Sequence, residues 1–88
     1  MESWQESEQQ IIKNRKKIAR ILRERRKELG YTQEELASLI GIKYNSLNRI
    51  ESARFFISTK LLLQLLDALK LKIIFSPRDE DEDIIEKK

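Results

Sequence analysis

The chain contains no cysteine and no histidine, and only one proline and two glycines in 88 residues. Lack of cysteine excludes a disulfide framework and thiolate chemistry. Lack of histidine removes the commonest general base and metal ligand. No apolar run approaches the roughly 20 residues needed to cross a bilayer, and the first residues are polar, unlike a signal peptide. The expected compartment is therefore the reducing cytoplasm, with no membrane partner. So short a chain makes one small domain with little room for a buried catalytic cleft. It also has no glycine loop to cradle a phosphate. An enzyme, a cofactor and a metal site are all unexpected. The acidic run Asp79 to Asp83 lacks the glycine and distal glutamate of a calcium loop and reads as a solvated tail.

What the sequence does have is charge, and the charge is segregated. Residues 11–60 carry thirteen Lys and Arg against five Glu, a balance of +8 within a net +3. Residues 1–10 hold three Glu and no base, and residues 77–88 hold six acids against three bases. A basic middle is the electrostatic footprint of a phosphate-binding surface, although a solvated Lys/Arg-rich helix has the same composition.

Apolar spacing divides the chain into helices. Trp4, Ile11 and Ile18, then Ile21, Leu22 and Leu29, share one helical face. Ser3 with Glu6 and Ser7 with Gln10 both fit a capping box, so two starts are open for this helix. Its well-supported part is Asn14 to Leu29, closed by Gly30. Thr32 with Glu35 opens a second helix running to Ile40, with Leu36 and Ala37 inward. Gly41 marks a tight turn, and a third helix spans about Lys43 to Ser52, burying Leu47 and Ile50. Ser58 caps a fourth helix from Thr59 to about Leu69, with Leu62, Leu65, Leu66 and Leu69 as its stripe. Leu71 to Ser76 then alternates like a strand, with Leu71, Ile73 and Phe75 on one face, until Pro77 stops it. A lone strand needs a partner for its backbone groups. With no second strand evident in the chain, the same strand of another copy is the simplest one.

Two short helices joined at Gly41, the second with polar side chains outward, have the layout of a helix-turn-helix. Residues 18–69 resemble the phage repressor and Cro type of this domain, the XRE family. The resemblance rests on Arg26, Gly30, Thr32-Gln33, Leu36-Ala37, Gly41-Ile42, Leu47, Ile50-Glu51 and the helix from Ser58 to Leu69. It implies a mainly α fold: a four- to five-helix repressor-like domain with a short C-terminal strand pairing across a dimer. It further implies that Arg26 and Glu51 form a buried structural ion pair, and that Thr32, Gln33, Ser52 and Arg54 approach the DNA backbone. Lys43, Tyr44, Asn45, Asn48 and Arg49 would then face the bases. Their chemistry suits that role, since Arg reads the guanine O6 and N7, Asn reads adenine, and Tyr packs on a thymine methyl.

Four positions depart from the family pattern. Lys43 replaces the usual Ser or Thr cap. Ala53 replaces a glycine and must turn left-handed or shift the helix end. Phe55 and Phe56 replace polar loop residues and read as core plugs. The expected division is an N-terminal arm or helix extension over 1–13, the DNA-binding domain over 14–69, a dimerisation strand over 70–77 and a flexible acidic tail over 78–88. The expected function is a sequence-specific transcriptional regulator, a repressor, binding double-stranded DNA as a homodimer on a palindromic operator. The alternative comes from the C-terminal strand and its Pro-Arg ending, which resemble HipB-type antitoxins; in that reading the protein also holds a partner toxin.

Overall fold

The computed structural model describes residues 4–54, 56–77 and 85–87, the first three and last three of these by their backbone alone. In chain order the elements are α1 (Trp4–Glu28), α2 (Gln33–Ile40), α3 (Tyr44–Glu51), α4 (Thr59–Ala68), β1 (Leu71–Ile73) and β2 (Ile85–Lys87).

The helix α1 is longer than its well-supported core. No glycine or proline interrupts it, and i,i+4 partners bridge its exposed turns: Gln10 donates to Asn14 at 3.2 Å and Arg20 pairs with Glu24 at 3.3 Å. Residues 4–13 therefore continue the helix, and the start at Ser7 is bypassed. Residues 1–3, with Ser3, lie outside the described residues.

α1, α2 and α3 end in the same way, with a left-handed residue whose N–H, and the next, turn back onto the last carbonyls. Gly30 closes α1 and Gly41 closes α2, with φ of 82° and 75°. Ala53 closes α3 at φ 59°. Its N–H reaches the Ile50 carbonyl at 3.1 Å and that of Arg54 reaches Arg49 at 3.0 Å. The motif is thus preserved without glycine, at a cost of about 1–2 kcal/mol for the crowded Cβ.

The helix starts differ more. Thr32 and Glu35 form a complete capping box, with reciprocal bonds of 2.9 and 3.0 Å. Ser58 accepts from the Leu61 amide at 3.2 Å. Lys43, at the start of α3, makes no side-chain cap bond.

Leu22 of α1, Leu36 and Ala37 of α2, Leu47 and Ile50 of α3, and Leu65, Leu66 and Leu69 of the α4 region pack into one core, which Leu71 of β1 joins. Of the expected α4 stripe, Leu62 is the half-buried member. Phe56 is not the plug expected of it. It is 62% exposed, and the Arg15 guanidinium lies 4.5 Å from its ring centre. Phe55 lies outside the described residues.

The C-terminus departs most from expectation. β1 is shorter than Leu71 to Ser76 and finds its partner within the chain. It pairs antiparallel with β2, Leu71 opposite Lys87, Lys72 opposite Glu86 and Ile73 opposite Ile85. A three-residue strand needs only a three-residue partner, and a segment as short as Ile85–Lys87 carries no alternation that a periodicity reading detects. Residues 85–87 are therefore strand and not tail, and the backbone of β1 does not require a second copy. Residues 78–84 and 88 lie outside the described residues. Of the expected dimer strand, Leu71 is 3% exposed and belongs to its own core, Ile73 is half-buried against it, and Phe75 is 86% exposed beyond the end of β1.

Candidate nucleic-acid interface

The site is built outward from one buried carboxylate. Glu51, the last residue of α3, is 3% exposed, a position tolerable for a charge only when its oxygens are answered. Arg26 of α1 answers it with a two-point contact, Nε to Oε2 at 2.7 Å and Nη2 to Oε1 at 3.0 Å. Planar guanidinium and planar carboxylate match in geometry, which a lysine would not. The remaining Arg26 nitrogen, Nη1, donates to the Tyr31 carbonyl at 2.8 Å, so the same side chain also holds the turn into α2.

This pair extends to the surface through Gln33, the first residue of α2. Its Nε2 donates to Glu51 Oε1 at 2.9 Å, while its Oε1 accepts from Asn48 Nδ2 at 3.4 Å. The chain Arg26–Glu51–Gln33–Asn48 runs from the core to the outer side of α3. Its consequence is a fixed angle between α2 and α3, the relation a helix-turn-helix must hold on a groove.

From this anchored base Lys43, Tyr44, Asn45 and Arg49 project into solvent, with Tyr44 43% exposed. Asn48 is half-buried because it leans on Gln33. At the end of α3, the exposed Ser52 hydroxyl donates to the carbonyls of Asn48 and Arg49, at 2.9 and 3.2 Å, and Arg54 is exposed just beyond. The Thr32 hydroxyl oxygen accepts from the Glu35 amide as part of the cap. The geometry therefore separates two sets. Lys43, Tyr44, Asn45, Arg49 and Arg54 have side chains turned to solvent, whereas Thr32, Gln33, Asn48 and Ser52 are oriented by bonds within the protein. Among titrating groups, Glu35 is held below its ordinary value of 4.5, first by the Thr32 backbone N–H and then by the Thr32 hydroxyl.

Two further ties escaped sequence reasoning. Arg23 donates to the Glu51 carbonyl at 3.2 Å, and Arg25 donates to the Leu69 carbonyl at 2.9 Å. Backbone acceptors leave no mark in a sequence. With Arg26, these bonds attach α1 to the ends of both α3 and α4.

A bracketed pair of short helices with a polar outer face defines a DNA-binding helix-turn-helix domain. Residues 22–75 match the helix-turn-helix family profile, well over half the chain, and the protein belongs to that family, of the XRE type. It is accordingly a DNA-binding transcriptional regulator whose partner is double-stranded DNA. No curated protein matches the chain. Among the described residues no helix is long and apolar enough to cross a membrane, and no cluster of potential metal ligands occurs.

Proposed function

We propose that the protein is a cytoplasmic repressor that binds a specific operator as a homodimer. α3 enters the major groove, where Arg49 and Asn45 read base edges and Lys43 and Tyr44 contribute beside them. Gln33, Thr32, Ser52 and Arg54 set the distance to the phosphates, and Asn48 links the two groups. The observation that carries this reading is the exposed row Lys43, Tyr44, Asn45 and Arg49 standing on a helix whose far end is locked by the buried Glu51. Hydrogen-bonding groups with fixed positions discriminate bases, because a wrong base leaves a donor or acceptor unanswered.

Two copies on a palindrome double the contact and place their recognition helices about one turn of duplex, or a multiple of it, apart. Selection of bound sites from random duplex DNA tests both parts of the proposal. The expected product is a single motif with inverted half-sites. Recovery of unrelated sequences, bound with equal affinity, would refute sequence-specific recognition. A directional half-site without its inverted mate would refute the palindrome.

A further inference from the structure

The outer half of α1 lies beyond the domain core. None of residues 7–14 is buried, and Ile11 is 45% exposed beside the half-buried Ile12 on a stretch whose other residues are polar. Beside it runs an apolar groove of about 360 Å³, with Ile11, Ile18 and Phe56 along its sides and Ile50 and Leu62 among its lining. Arg15 also lines this groove, and its Nε is buried without a hydrogen-bond partner among the described residues. The guanidinium rests on the Phe56 ring, yet its Nε–H has no acceptor, so this apolar face keeps one buried donor that a single copy leaves unsatisfied.

The helix itself supplies the complement. Glu8, Ile11, Arg15 and Ile18 follow one another at three- and four-residue steps and so share one face. The acid lies seven residues before the base, about 10 Å along the axis and too far to pair within one helix. When two such helices run antiparallel about a two-fold axis near Ile11, Glu8 of each meets Arg15 of the other. The isoleucines then lie side by side at the axis. The segregation of charge along the helix, acidic at Glu6 and Glu8 and basic from Lys13 to Arg20, favours this antiparallel arrangement over the parallel one.

We propose that a second copy of this chain occupies the groove, the two α1 helices crossing antiparallel with reciprocal Glu8–Arg15 pairs. This contact supplies the association that the in-chain partner of β1 removes from the C-terminal strand. It rests on the homodimer reading above and names its surface. Since Ile50 of α3 lines the same groove, the contact also sits directly behind the recognition helix.

Sedimentation velocity of the full chain between about 1 and 100 µM tests the proposal. The expected result is a monomer–dimer equilibrium. Ile11→Lys, at an exposed site, keeps the helical circular dichroism and thermal midpoint but weakens association about a hundredfold. Glu8→Arg and Arg15→Glu each weaken self-association about tenfold, and mixing the two variants restores it, because the mixed pair carries both opposite-charge contacts. A chain monomeric throughout this range overturns the proposal. So does a dimer indifferent to Ile11→Lys, and one abolished by Phe75→Lys instead would move the contact to the C-terminus. Binding to a single half-site oligonucleotide separates the two readings. Ile11→Lys retains it if the regulator reading is right, and its absence from the unaltered chain would count against DNA recognition alone.

Discussion

Arg26 and Glu51 show how much of the domain depends on two side chains. Removing either leaves a buried charge unanswered and should destabilise the fold by about 3–5 kcal/mol. A double-mutant cycle on chemical unfolding measures the coupling, and additive losses would show that the pair acts as two independent groups. The exposed cap residue Glu35 behaves differently. Its folded-state carboxyl is depressed by bonds to Thr32, so its stabilising contribution is present above the ordinary value of 4.5 and is lost as pH falls through the folded value. The acid limb of a stability–pH profile should therefore flatten in Glu35→Ala. The Arg26–Glu51 pair was legible because a family pattern carries it. Gln33 as its third member was not, since a glutamine at the start of a helix reads equally well as a solvent-facing phosphate ligand.

The elements were legible in proportion to their punctuation. α2 has both a capping box and a terminal glycine, and it runs from Gln33 to Ile40 as the spacing predicts. α3 lacks both, yet Leu47 and Ile50 are buried where their three-residue spacing puts them, because the core and Glu51 override the missing cap. The end of the chain lacked such signals, and β2 lay hidden behind an acidic run. Across α2 and α3, side chains free in solvent and side chains oriented from inside should respond differently to substitution. Arg49→Ala should lose about 1–3 kcal/mol on the best site and relax preference at one base pair. Gln33→Ala should weaken all sequences alike. Competition binding against a panel of single-base operator variants distinguishes them, and an unchanged preference for Arg49→Ala would remove that residue from base reading.

At the scale of the whole molecule, the basic charge serves two purposes. Arg23, Arg25 and Arg26 hold α1 to the rest of the domain, and Arg15 stacks on Phe56, so the +8 of the middle segment overstates what faces a duplex. Each phosphate neutralised contributes about −0.9 to the slope of log affinity on log salt. The expected slope per copy is therefore well short of the thirteen bases present, at about −4 to −6. Titrations at several salt concentrations give it directly, and a flat slope would exclude phosphate contact. The same arginines have a consequence for how this sequence can drift over time. Arg26 needs the carboxylate of Glu51, so a change at either position calls for a compensating change at the other. Arg25 pairs with Glu28 on its own helix at 3.6 Å, and across to position 69 it asks only for the main-chain oxygen, which every amino acid supplies. Among diverged relatives, positions 26 and 51 should change together, while position 69 should vary without regard to position 25 for as long as it remains apolar.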